Sequence, residues 1–142
     1  MTPINLYFVI SGNHEDPLGN PIPYVRSTRD ALWRADGKRY AAWKEYVRGA
    51  YLAAAGSKGI LTPKEVVNLN ITGEKPIKLE RGQRARIDLT IYWKNGAHGD
   101  PDNIWKGIAD ALFKNDRNVD GSFESYVKTD GQGTVHVKLQ IL

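Results

Sequence analysis

Arg84-Ala-Arg-Ile87-Asp88-Leu89-Thr90-Ile91-Tyr92-Trp93 runs through Lys94-Asn-Gly-Ala-His98-Gly99 into Asp100-Pro101-Asp102-Asn103-Ile104-Trp-Lys106-Gly-Ile108-Ala-Asp110-Ala111-Leu112. The hydrophobic period changes on the way. Ile87, Leu89, Ile91 and Trp93 alternate with Asp88, Thr90 and Tyr92, the period of a strand with one face in a core. After the glycines, which permit a sharp turn, Ile104, Ile108, Ala111 and Leu112 recur at helical spacing. Asp100 stands where a helix cap belongs, and Pro101 at a first helical position, where a missing N–H costs nothing. Asp102, Lys106 and Asp110 follow at i, i+4 and i+8, forming a charged stripe on the same helix.

Outward from this pair of elements, residues 4–10 are β-branched and aromatic and read as a strand. Residues 12–23 are turn-rich, and residues 22–27 read as a short strand kept at an edge by its prolines. A helix is expected over residues 39–55, ending near Gly56. Within it, Trp43, Tyr46 and Val47 share the side that faces a core. Residues 66–72 read as a strand followed by a turn through Pro76. Residues 122–129 and 134–142 read as a hairpin around Asp130-Gly-Gln-Gly133. The expected architecture is α+β: one domain over residues 1–142, with a mixed β-sheet and two main helices.

Composition sets the outer limits. A chain of 142 residues with 41% hydrophobic and 25% charged residues has the profile of one globular domain. It contains no cysteine, so disulfides and thiolate zinc sites are excluded, and His14, His98 and His136 lack metal-ligand spacing. No apolar run reaches membrane-spanning length and no signal pattern opens the chain, so a cytoplasmic protein without a membrane partner is expected. The net charge of +4 and a pI of about 9.3 suit a polyanionic partner. Basic residues cluster at Arg26, Arg29, Arg34, Lys38, Arg39, Lys44 and Arg48, interleaved with Trp33, Tyr40, Trp43 and Tyr46. Arg26, Arg29, Lys38 and Arg39 are the candidate phosphate contacts.

The acids carry the chemistry. Two carboxylates one residue apart repel unless a cation lies between them. Short Asp oxygens around Mg²⁺, with a lysine close by, are usual equipment for cutting a phosphodiester. The same residues would also serve as a plain helix cap and a plain i,i+4 ion pair.

The run Asp100-x-Asp102-Asn103-x-x-Lys106-x-x-x-Asp110-Ala-Leu resembles the signature of the RusA-like Holliday junction resolvases, small endodeoxyribonucleases common in phages and prophages. Asn115-Asp116-Arg117-Asn118-Val119 resembles the family's acidic turn entering a strand. Lys128 matches a lysine in that strand, and residues 21–26 and 39–47 resemble its basic strand and first helix. The resemblance implies a Mg²⁺-dependent endonuclease acting as a homodimer on branched DNA, with no nucleotide cofactor. Asp100, Asp102 and Asp116 would hold the metal, and Lys106 would stabilise developing charge. Asn103 and Asp110 would support them, and Lys128 would contact DNA. Two departures stand out: Asn115 occupies the place of the turn's first acid, and residues 12–19 form an added loop. A rival alignment sets Asp120-Gly121 in the turn, with Gly121 replacing the second acid. Cleavage of forks or flaps, and junction binding with weak catalysis, are the alternatives; one-residue spacing at a helix mouth suits a shared metal better than glycoside hydrolysis.

Overall fold

The computed structural model describes residues 3–11, 19–22, 35–96, 99–128 and 133–142. Their elements, in order, are β1 (Ile4–Ser11), α1 (Ala35–Ser57), α2 (Pro63–Thr72), β2 (Ala85–Trp93), α3 (Pro101–Leu112), β3 (Val119–Val127) and β4 (Thr134–Ile141). The four strands form a single mixed sheet in the order β1-β4-β2-β3. β4 runs antiparallel to both β1 and β2, while β3 runs parallel to β2 with Ala85 opposite Val119 and Trp93 opposite Val127. The fold is α+β.

The alternation in β2 is realised: Ala85, Ile87, Leu89, Ile91 and Trp93 are buried. They meet Leu6, Phe8 and Ile10 of β1 and Val135, Val137 and Leu139 of β4 in one core. α1 adds Trp43, Val47, Tyr51 and Ala55 at four-residue spacing, and α3 adds Ile104, Ile108, Ala111 and Leu112. Each such Leu or Ile, fully buried, contributes about 1.5–3 kcal/mol. α1 and α3 cover one face of the sheet and leave the other open, while α2 packs on α1. Burial raises the Tyr51 phenol to a pKa of about 12, so it stays neutral inside the core.

Two expectations are corrected. Residues 66–72 form the last seven residues of α2, not a strand. Thr62 caps that helix by accepting from the Glu65 N–H, while the Glu65 side chain accepts from the Thr62 N–H. This reciprocal cap outweighs the β-branched character of the residues that follow, and Gly73 ends the helix in a left-handed conformation. Nor are β3 and β4 a hairpin. β3 pairs with β2 on one side, and β4 enters on the other, between β2 and β1. The unit β2-α3-β3 is therefore a crossover with parallel strands. The expected strand over residues 22–27 has no strand at Ile22; residues 23–27 and the loop over residues 12–18 lie outside the described residues.

Candidate functional site

Where β2 ends, the chain leading to α3 is held at Lys94 and Asn95. The Asn20 side chain accepts the Lys94 N–H at 2.6 Å and donates to Asn95 Oδ1 at 3.1 Å. The helix then opens as its sequence dictates: Asp100 is extended and accepts the Asp102 N–H at 3.0 Å, with Pro101 in the first position. Because α3 returns antiparallel to β2, its N-terminus lies at the end of the sheet where β2 and β3 stop. Asp102 pairs with Lys106 at 3.1 Å. At this solvent-facing helix mouth the Lys106 ammonium pairs with Asp102, and Asp100 takes up the N–H groups of the first turn, its side chain accepting from Asp102 and its carbonyl from Asn103 and Ile104.

Asp116 is elsewhere. It follows the other end of α3, in the turn before β3, where its carbonyl accepts the Val119 N–H at 3.1 Å. A 12-residue helix spans about 18 Å, so within one chain Asp116 is not brought to Asp100 and Asp102. Asp120 is no nearer, since it sits opposite Arg86 at the start of the parallel pair. Among the described residues no group of three or more acids or histidines assembles as a metal site. Two carboxylates with open oxygens nonetheless match Mg²⁺, which commonly takes one or two protein carboxylates and fills its shell with water and substrate phosphate.

Gly121, the residue that displaces an acid in the rival alignment, has a steric reason to be glycine. A Cβ there would lie 1.7 Å from the Ile87 carbonyl oxygen. That carbonyl also accepts the Trp105 indole N–H at 2.9 Å, tying α3 to β2.

Asp110 does not hold Lys106. It accepts from Tyr40 Oη at 2.8 Å and binds Lys44 at 3.2 Å and Lys75 at 2.9 Å, so it fastens α3 to α1 and to the segment after α2. Burial alone would raise its pKa, but the hydrogen bonds from Lys75 and Tyr40 and the charges of both lysines outweigh burial and hold the carboxyl below its ordinary value. The spacing of Asp110 marked it as important; Lys75, distant in sequence, gave no signal.

The basic cluster divides in space. Lys38 and Arg39 are exposed on the first turns of α1. Arg48 is buried, donating to the Leu69 carbonyl at 2.9 Å and pairing with Glu45 at 2.8 Å, and so binds α2 to α1 instead of a phosphate. Arg26, Arg29, Arg34 and His98 lie outside the described residues. Lys128 is exposed on the open side of the sheet, its ammonium 4.1 Å from the centre of the Tyr92 ring. Asn103 is half-buried in the first turn of α3, its N–H donating to the Asp100 carbonyl at 3.0 Å. No helix among the described residues is long and apolar enough to cross a membrane.

No model of a known protein family matches the chain, and no curated protein matches it.

Proposed function

We propose that the chain is a Mg²⁺-dependent endodeoxyribonuclease of RusA-like type, acting as a homodimer on four-way DNA junctions. The observation that carries this reading is the helix mouth: Asp100 and Asp102 side by side, with Lys106 3.1 Å from Asp102. Their order along the helix is that of the resolvase signature.

In this reading Asp100 and Asp102 hold the metal through the oxygens that face solvent. The bound ion would supply an activated water and neutralise charge on the phosphate. Lys106 is exposed, and an exposed i,i+4 ion pair is worth only about 0.3–0.5 kcal/mol. Its ammonium can therefore leave Asp102 and turn to a phosphate oxygen. Asp110 keeps α3 fixed against α1, which sets the position of the acids. In one protomer the site has two acids, and Asp116 joins it only if the other subunit of a dimer supplies it. A two-fold dimer would present two such sites to the two opposed strands of a junction.

Cleavage of a fixed four-way junction, with and without Mg²⁺, tests the proposal. Paired incisions that need Mg²⁺ and vanish in Asp102→Asn, while junction binding remains, are expected. Binding without incision would leave a junction-binding protein, and incision of forks or flaps in preference to junctions would change the substrate.

A further inference from the structure

The open face of the sheet carries a row of aromatic rings that no part of the proposed cleavage chemistry uses. Tyr7 on β1, His136 on β4, Tyr92 on β2 and Tyr126 on β3 cross all four strands. Successive ring centres lie 6.0, 5.3 and 5.8 Å apart. The two outer rings are well exposed, Tyr7 at 59% and Tyr126 at 51%. We propose that this row is a stacking surface for unpaired DNA bases, with Lys128 beside it as a phosphate or base-edge contact. The inference rests on reading the chain as a DNA-acting enzyme, and it adds a second contact region to that reading.

Three observations favour bases over a protein partner. The rings adjoin one another, and apart from exposed Val9 opposite His136 their surroundings are largely polar. Asp88, Thr90, Ser122, Glu124 and Lys138 line the adjoining hollow of about 320 Å³, with Leu89 its aliphatic member, so the face lacks the continuous apolar area that a packed helix or sheet would need. Successive π-faces with cations alongside are instead what a flexible single strand requires, since every base can stack and few base edges need be read. The acids of the face are already engaged: Asp88 binds Arg86 at 3.0 Å and Ser122 at 2.7 Å, and Glu124 accepts from Tyr126 Oη at 3.2 Å. Partial burial and the Lys128 charge hold His136 below its ordinary pKa, so at neutral pH it is a neutral ring.

Position completes the argument. Tyr92, Tyr126 and Lys128 lie at the end of the sheet where β2 and β3 stop, the Lys128 N–H donating to the Trp93 carbonyl at 2.8 Å. Asp100 and Asp102 open α3 from that same end. A strand stacked on the row runs over the sheet end toward the acids, so bases unpaired at a branch point would be held on one side of the sheet while a phosphate nearby reaches the other.

The test is binding of a fluorescein-labelled oligothymidylate twelve-mer to the full chain in EDTA, followed by anisotropy. Tyr7→Ala and Tyr126→Ala should each weaken binding roughly tenfold, in line with about 1–3 kcal/mol per stacked base. Tyr126→Phe, which keeps the ring and loses the hydroxyl, should stay close to wild type. Affinity for a duplex of equal length should be unaffected by either alanine variant. Both tyrosines lie on outer strands, and wild-type protein cross-linked to a bromodeoxyuridine oligonucleotide gives a readout that needs no variant, with adducts expected in β1, β2 or β3. Unchanged twelve-mer affinity in both alanine variants, equal loss for duplex, or adducts confined to α1 would overturn the proposal. So would tighter binding of oligouridylate, or a sedimentation change in Tyr7→Ala that reveals a second copy on this face. Junction cleavage is scored separately. Cleavage without tyrosine-dependent binding defeats this inference alone, and tyrosine-dependent binding without cleavage defeats the nuclease reading alone.

Discussion

Asn115 grips the backbone of Leu79 with both ends of its amide: Oδ1 accepts the Leu79 N–H at 3.1 Å, and Nδ2 donates to the Leu79 carbonyl at 3.2 Å. It acts as a length of strand would, continuing the bridge in which Ile77 pairs beside Phe113. The position that the resemblance sets against an acid thus holds a residue that must both accept and donate. Asn115→Asp should lower stability by about 1–3 kcal/mol, because a carboxylate can keep the first bond and only repels the Leu79 carbonyl. Urea denaturation at neutral pH measures it; an unchanged midpoint would mean the clamp contributes nothing.

Asp110 should make stability depend on pH in the acid range. Its carboxyl titrates below the ordinary value of 3.8 in the folded chain. The contribution is therefore complete above that value and is lost as pH falls through the folded one. Asp110→Asn should melt below wild type at pH 7, by about 1–3 kcal/mol of stability, and the two curves should converge below about pH 4. A gap that stays constant down to pH 2 would show that the charge is not what matters.

Gly121→Ala should destabilise the chain by about 1–3 kcal/mol or more, since the added methyl collides with the Ile87 carbonyl at a point where backbone, not a flexible side chain, is in the way. Loss of amide protection along β3 in hydrogen exchange would locate the damage. Protection equal to wild type would count against the collision.

Asp102→Asn should abolish incision, whereas Asp116→Asn and Asp120→Asn should each leave it within a few-fold. If Asp116→Asn instead removes activity by orders of magnitude, mixing it with Asp102→Asn should restore nicking, because a mixed dimer would contain one intact shared site.

Lys38→Ala should reduce the salt slope of DNA binding by about one unit if its ammonium neutralises one phosphate. Arg48→Ala should leave the slope alone and cost stability, since its guanidinium is buried against α2. A reversal of the two results would mean the burial of Arg48 does not decide its role.

Much of this architecture was legible because it depends on local period and caps. The alternation ending at Trp93, the Asp100-Pro101 start and the stripe from Ile104 to Leu112 each name their own structure. The sequence also contained a signal for α2 that β-branched Val66, Val67 and Ile71 obscured: Thr62-Pro-Lys-Glu65 is a reciprocal cap. Strand pairing was different in kind. The glycines at 131 and 133 allow a tight turn, and nothing local says that β4 must pass β3 and insert beside β2. The open-face tyrosines were hidden for a related reason. Tyr92 occupies a polar slot in its own strand, and its row with Tyr7 and Tyr126 exists only once the sheet order is set.

The position of β4 has a consequence for how the chain withstands shortening. Val137 faces Phe8 on one side and Leu89 on the other, so the last strand is the seam between the first strand and the remainder of the sheet. A truncation that removes β4 deletes two ladders at once and strands β1 with no neighbour. A cut near the carboxyl end is therefore felt at the amino end, and the two extremities of the chain stand or fall together.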